Sequence, residues 1–179
     1  MQDVAMLIQE LLENSAAANA THIHLRLDPK DKQGELSFTV IDDGCGMDDA
    51  TLSKVLSPFT TSRTTRKVGL GLSFLHQVVT QTQGHLDIDS TPGHGTTVHA
   101  RWKADHWDAP PLGNLGEVVM IHLQGHPQLE LDVDLPDFVL NTAQLKAQLD
   151  PVPIDDPGVL TYLESAITTH LNTLREELR

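Results

Sequence analysis

Two glycine-containing turns, each attached to a regular element, constrain this chain more than any other feature of its sequence. The first, DDGCG at 42–46, follows a strand rich in β-branched residues, and the second, VGLGLS at 68–73, opens a helix. Glycine tolerates positive φ and leaves the backbone open to a close neighbour. A strand that ends in one such turn and a helix that starts at the other predict a chain of the α+β class.

Hydrophobic periodicity predicts an α+β sandwich of helices and strands in the first hundred residues. Residues 3–18 have the apolar spacing of an amphipathic helix, whereas 21–28 and 35–42 alternate as strands. The further elements expected in this part of the chain are helices near 49–56 and 69–83 and strands near 85–90 and 96–103.

A loss of periodicity at 105–116 predicts a linker between a first domain, 1–104, and a C-terminal extension, 117–179. The extension is expected to have the order ββαα and to pack on the first domain. Its hairpin is predicted from strands at 117–124 and 129–135, and two helices follow.

Composition and charge argue against several functional classes. No apolar run is long enough to span a bilayer, no secretion signal opens the chain, and the single Cys45 fits a reducing compartment, so we expect a cytoplasmic protein. The net charge of −13 argues against nonspecific nucleic-acid binding, which requires a cationic surface. Basic residues nevertheless concentrate at 54–67, just before the second glycine turn. They form either a solvated loop or a basic lid over phosphates, and the adjacent glycines favour the lid.

Polar residues on one flank of the first helix suit a partly buried site. At about 100° per residue, Glu10 and Asn14 project together beside the apolar stripe, whereas Glu13 points away into solvent. An Asn side-chain oxygen is a suitable ligand for Mg²⁺, and a carboxylate one turn away can orient or deprotonate a water molecule. The alternative is an ordinary polar flank of an amphipathic helix.

The end of the second strand offers groups that can hold adenine. Asp42 can accept a hydrogen bond from the exocyclic amine, and Gly44 and Gly46 let a flat base approach the backbone. Met47 can pack on the base, and the Thr96 hydroxyl can complete the site. An Asp- and Gly-rich turn with a core methionine would explain the same residues without a ligand.

Gly69 and Gly71 place bare amides at the start of the second long helix. The unpaired N–H groups and the dipole of a helix N-terminus favour an anion such as phosphate. Glycine pairs at helix starts also occur for packing alone. Gly69 and Gly71 therefore indicate phosphate binding only in combination with the other motifs.

Two histidine pairs raise the question of a zinc site. His22 and His24 share a strand face, and His122 and His126 lie four residues apart. A zinc site needs three or four converging ligands, and the sequence spacing supplies no third ligand for either pair. The pattern therefore favours polar side chains on the protein surface over a dedicated zinc site.

Taken in order, these motifs resemble those of the Bergerat-fold (GHKL) ATPases, which include the gyrase B subunit, a heat-shock chaperone, sensor histidine kinases and MutL. Residues 8–15 resemble the N box in its MutL form, and 40–47 resemble the D-x-G-x-G box. Residues 58–63 and 69–73 resemble the F and second glycine boxes of the histidine kinases, and 93–96 the last glycine box.

The resemblance extends over residues 4–103 and implies a two-layer α/β sandwich in which helices cover a mixed sheet. It also implies that ATP and Mg²⁺ bind between helices under a flexible lid. It implies that Asn14 ligates Mg²⁺, that Asp42 binds adenine and that Glu10 is the general base. The resemblance and the individual motifs together indicate the nucleotide-binding residues. These are Asn14, Asp42, Gly44, Gly46, Met47, Arg63, Lys67, Gly69, Gly71 and Thr96.

Three functional classes fit this resemblance. The chain is expected to be a slow ATPase whose lid closure regulates an unidentified protein partner, or drives a homodimer. It could instead be a kinase that phosphorylates a separate protein, or a nucleotide sensor with little turnover. The segment at 106–113 resembles that of small stand-alone bacterial members of the superfamily, so a stand-alone protein is expected.

Overall fold

The computed structural model describes residues 3–56 and 70–177 of the chain. In chain order the elements are α1 (Val4–Ala17), β1 (His22–Asp28), β2 (Glu35–Asp42), α2 (Asp49–Leu56), α3 (Leu70–Gln81), β3 (His85–Thr91), β4 (Gly95–Lys103), α4 (Leu115–Gly125), β5 (Glu130–Leu135), β6 (Phe138–Asn141), α5 (Thr142–Leu149) and α6 (Pro157–Glu177). The strands form one six-stranded mixed sheet in the order β3-β4-β2-β1-β5-β6. This α+β architecture confirms the predicted fold class.

The two central strands show why the alternating pattern predicts this sheet. β1 and β2 pair antiparallel, with Leu25 opposite Val40 and Ile23 opposite Asp42. Alternate residues of β1 and β2 are buried, because successive side chains of a strand point to opposite faces. The apolar residues therefore line one core, in which Phe38 meets Trp102 of β4 edge to face.

Helix α1 covers this core with the face that the sequence predicts. Its buried residues follow the helical spacing and are Val4, Ala5, Leu7, Ile8, Leu11, Leu12 and Ser15. The side chain of Asp3 caps the helix by accepting a hydrogen bond from the amide of Met6 at 2.8 Å. Helix α1 also contacts α3 and α4, so it lies at the centre of the helical layer.

The prediction of a strand at 117–124 is wrong, because this segment belongs to helix α4. Val118, Val119 and Ile121 favour a strand by intrinsic propensity. Packing against α1 and α6 instead selects the helix, whose buried positions recur at helical spacing. The Asn114 side chain caps it by accepting a hydrogen bond from the amide of Glu117 at 3.2 Å.

The C-terminal hairpin consists of β5 and β6, so the extension has the order αββαα rather than ββαα. β5 pairs parallel with β1, with Ile23 opposite Leu131, and the hairpin thereby extends the sheet of the first part of the chain. The division into a first domain at 1–104 and an extension at 117–179 stays a prediction.

The longest of the described helices, α6, packs its apolar stripe on α4. Leu160, Leu163, Ile167 and Leu171 are buried along that stripe, whereas Tyr162 on another face is 72% exposed. Within residues 3–56 and 70–177, neither α6 nor any other helix combines the length and the apolarity needed to cross a bilayer.

The prediction that Glu13 simply points into solvent was incomplete. Its side chain is 47% exposed, but the carboxylate lies 3.2 Å from Nε2 of His126, at the end of α4. Helical periodicity describes α1 alone, whereas in the folded chain α4 packs beside the face of α1 that carries Glu13.

Candidate functional site

The half-buried carboxylate of Asp42 is anchored where β2 ends beside α1. Its Oδ2 accepts a hydrogen bond from the Ser15 hydroxyl at 2.7 Å, and its Oδ1 accepts one from the amide of Gly44 at 2.9 Å. These two donors fix the orientation of the group. A carboxylate has further lone pairs, so Asp42 retains the capacity to accept another hydrogen bond.

Three polar groups are linked at the β3–β4 side of Asp42. Thr96 lies directly opposite Asp42 in the β2–β4 register. Its hydroxyl is 2.9 Å from the hydroxyl of Ser90, which also accepts a hydrogen bond from the amide of Met47 at 2.8 Å. The Met47 side chain is partly buried and packs against the core. The turn after β2 is thereby tied to β3 and β4.

The start of α3 lies against the flank of α1 that carries Glu10 and Asn14. A Cβ atom on Gly71 would lie 2.7 Å from Cβ of Glu10 and 3.6 Å from Nδ2 of Asn14. A side chain at residue 71 would therefore force the two helices apart. Glu10 is exposed and Asn14 half-buried, so both polar groups border the junction of the helices.

Two glycines allow the backbone segments around Asp42 to approach closely. Gly46 has φ +64°, and a Cβ there would lie 2.1 Å from the carbonyl oxygen of Thr91. Gly95 has φ +86°, and a Cβ there would lie 1.9 Å from the carbonyl oxygen of Asp42. Any larger residue would be strained in conformation and would also displace these strands.

Asp43 holds the start of β1 against the end of β2. Its Oδ1 accepts hydrogen bonds from the amides of Thr21 at 2.7 Å and His22 at 2.9 Å, and its Oδ2 accepts one from the Thr21 hydroxyl. Partial burial raises the pKa of Asp43, but these hydrogen bonds outweigh the burial and lower the pKa below its ordinary value.

The structure thus brings together part of the set named from the sequence. Glu10, Asn14 and Gly71 meet at the α1–α3 junction, and Asp42 is joined to α1 through the residue that follows Asn14. The candidate residues Arg63, Lys67 and Gly69 lie outside the described residues.

Sequence reasoning missed two serines that orient the candidate groups, Ser15 and Ser90. Ser15 is buried and continues the apolar stripe of α1, four residues after Leu11. A buried hydroxyl in an apolar stripe needs a hydrogen-bond partner. The position of Ser15 in the sequence therefore indicated that its hydroxyl would bind a polar group. Ser90 gave no comparable signal, because its partners come from the turn after β2 and from β4.

The arrangement combines a fixed acceptor, an exposed carboxylate and an amide oxygen around the N-terminal turn of a helix. Unpaired amides at a helix start favour anions, and oxygen donors favour a hard cation. In their chemistry, these groups suit a ligand that has a hydrogen-bond donor at one end and negative charge at the other.

Comparison with known proteins gives the class of this chain. Residues 2–106 match the model of the family described as Histidine kinase-, DNA gyrase B-, and HSP90-like ATPase. The chain belongs to this family, which confirms the resemblance inferred from the sequence motifs.

Individual relatives match shorter parts of the chain. Sensor kinase CckA of Brucella abortus is 38% identical over 85 residues, which cover 47% of this chain and 9% of that protein. DNA mismatch repair protein MutL of Lactiplantibacillus plantarum is 31% identical over 104 residues, 54% of this chain and 15% of that protein. Among solved structures, the Aquifex aeolicus MutL ATPase domain complexed with ADP is 16% identical, with a TM-score of 0.48, over 84% of this chain and 68% of that chain. The chain spans at most 15% of the length of these two curated relatives.

We predict that Gly95→Ala destabilises the fold far more than Gly93→Ala. Both glycines have positive φ, but a Cβ on Gly93 meets nothing within 4 Å. The conformational strain alone should lower the free energy of unfolding by about 1–2 kcal/mol for Gly93→Ala. Gly95→Ala must also separate β2 from β4, and we expect a loss of about 3 kcal/mol or more. Urea denaturation measures both, and equal losses would contradict the close approach at Gly95.

We predict that Asp43 contributes to stability at neutral pH and that acid removes this contribution. Because the folded-state pKa is lowered, the unfolded chain binds more protons in the acid range, so stability falls as pH falls through the folded pKa. Between about pH 6 and about pH 3 the urea midpoint of Asp43→Asn should fall less than that of the unmodified chain. The control is Asp87→Asn, an exposed position on β3, which should follow the unmodified chain.

Proposed function

We propose that this chain binds ATP with Mg²⁺ between α1, the end of β2 and α3, and that it is a slow ATPase whose lid closure regulates a protein partner. The observation that carries the proposal is the position of Gly71. Its missing side chain lets the first turn of α3 lie against Glu10 and Asn14, and Asp42 is held beside the same end of α1 by Ser15.

In this proposal Asp42 recognises adenine. The hydrogen bonds from Ser15 and Gly44 orient the carboxylate, which can then accept a hydrogen bond from the exocyclic amine of the base. Thr96, opposite Asp42 in the register, would support this contact. The missing side chains of Gly44 and Gly46 would let Ala18 and Thr91 pack closely against the turn that follows Asp42, and the Met47 side chain would pack near the base.

The phosphates would lie at the start of α3, at the amides of Gly69 and Gly71. Glu10 and Asp42 are acidic, and the chain carries a net charge of −13, so the triphosphate needs compensating cations. We propose that Arg63 and Lys67 supply part of that charge and that the Asn14 oxygen ligates Mg²⁺. Bound Mg²⁺ would neutralise phosphate charge, and the hard oxygen of Asn14 suits it.

Glu10 is the proposed general base. Glu10 is exposed, and its Cβ lies beside the first turn of α3, so a water molecule has access to its carboxylate. The carboxylate can orient that water and accept its proton as the water attacks the terminal phosphate. This role requires only that the carboxylate be ionised and within hydrogen-bond distance of the water.

A second candidate function is phosphorylation of a separate protein. The similarity of 85 residues to a protein named Sensor kinase CckA supports it. The two functions share the nucleotide site and differ in the acceptor, which is water for an ATPase and a protein side chain for a kinase.

We predict that Asp42→Asn weakens binding of a non-hydrolysable ATP analogue with Mg²⁺ by about 100-fold. The amide cannot replace the charged acceptor, and a hydrogen bond to a charged group contributes about 1.5–3 kcal/mol. Isothermal titration calorimetry measures the affinity, and Asp87→Asn is the matched control that should bind like the unmodified chain. Unchanged affinity in Asp42→Asn, with circular dichroism showing a folded variant, would contradict the adenine assignment.

We predict that Glu10→Gln retains nucleotide binding but slows phosphate release by about 10²–10⁴-fold, the contribution of a general base. Phosphate release from Mg·ATP is measured beside the control Glu117→Gln, an exposed position on α4. Equal rates in Glu10→Gln and the unmodified chain would refute the role of Glu10. Transfer of labelled phosphate to a protein would favour the kinase, and binding without turnover would favour the sensor.

A further inference from the structure

Three side chains that can ligate a metal converge where α1 meets the C-terminal end of α4. Glu13 comes from α1, His122 lies in α4, and His126 caps the end of α4. One donor atom from each residue lies within 4.8 Å of the others. We call this group the Glu13–His122–His126 cluster, and it does not include any of the residues proposed to bind ATP.

His122 is the unusual member of this cluster. It is only 1% exposed, and neither ring nitrogen has a hydrogen-bond partner among the described residues. Its Nδ1 nevertheless faces the Glu13 carboxylate, with Oε1 at 3.5 Å. A buried polar group without a partner costs free energy, so the orphaned imidazole needs an explanation.

Burial lowers the pKa of His122, and the neighbouring His126 lowers it further, against the opposing effect of Glu13. Neutral imidazole is the form that binds metals, and burial favours that form of the His122 ring.

The carboxylate–imidazole separations within the cluster are close to those between ligands of tetrahedral zinc. Zinc bonds of about 2.0–2.1 Å to nitrogen and oxygen place neighbouring tetrahedral donors roughly 3.3 Å apart. Oε1 of Glu13 lies 3.5 Å from His122 Nδ1, and Oε2 of the same carboxylate lies 3.2 Å from His126 Nε2. His126 lies beyond the last residue of α4 and is partly exposed. Its side chain can therefore move closer to His122 and to the Glu13 carboxylate.

We propose that the Glu13–His122–His126 cluster is a binding site for a divalent metal of the zinc class. Two imidazoles and one carboxylate match the preference of Zn²⁺, whereas Mg²⁺ prefers oxygen donors alone. The exposed side of Glu13 leaves a fourth position open to water or to a further ligand. The bound metal gives His122 the partner that it lacks.

The site connects the two parts of the chain. Glu13 precedes Asn14 on α1, whereas His122 lies in α4 and His126 caps the C-terminal end of α4. Bound metal therefore fixes α4 against the helix that carries the proposed catalytic residues. Because it stabilises only the folded chain, it also raises the unfolding temperature.

The test is calorimetric titration of the full chain, without a histidine tag or nucleotide, with Zn²⁺ alone. We expect one equivalent of Zn²⁺ to bind and to raise the unfolding temperature. Glu13→Gln and His126→Ala, both at sites that are not fully buried, should weaken binding by about 100-fold or more, since even outer-sphere partners contribute 10- to 100-fold. A large excess of Mg²⁺ should not displace the Zn²⁺.

The matched control is the double variant His22→Ala/His24→Ala. These histidines already lie within 2.9 Å and 2.8 Å of Asp132 and Asp134, so they form a second histidine–carboxylate group on the surface. This variant should bind Zn²⁺ like the unmodified chain. No saturable binding, unchanged affinity in Glu13→Gln and His126→Ala, or loss of binding in the control would overturn the proposal. All measurements are made without ATP, so their outcome does not depend on the proposed ATPase function.

Discussion

Burial of the apolar face of α1 is the interaction on which both the sheet and the candidate site depend. Leu7, Ile8 and Leu12 are almost fully buried, and each such side chain contributes about 1.5–3 kcal/mol. That burial sets the rotation of α1 about its own axis. The rotation in turn places Glu10 and Asn14 toward α3 and the hydroxyl of Ser15 toward Asp42. The polar site is therefore positioned by an apolar contact.

Close backbone approach is the second requirement, and glycine provides it at both sides of the site. Gly71 brings α3 against α1, whereas Gly95 brings the start of β4 against the end of β2. In the proposed function, a ligand between these elements would meet a carboxylate and a hydroxyl that other side chains already orient. Such preorganisation reduces the free energy needed to order the site when a ligand binds.

Much of the fold could be predicted because its determinants are local. The strand at 35–42 and the helix at 49–56 have the predicted bounds, since alternation and helical spacing reflect burial on one side of each element. The segment at 117–124 could not be predicted in the same way. Its β-branched residues favour a strand, and only the packing of α1 and α6 against it selects a helix. In the site, Asp42 and Asn14 could be named from motif and spacing, but Ser90 could not, because its partners come from other strands.

The sequence by itself determined the periodicity of most elements, the position of the glycine turns and the resemblance to the ATPase family, because these depend on residues that are neighbours along the chain. The tertiary structure alone decided that β5 pairs with β1 and that Glu13 meets His122 and His126. Residues more than a hundred positions apart approach each other only when burial of the core brings their elements together. The residues next to each of these positions in the sequence therefore do not indicate which distant residue it contacts.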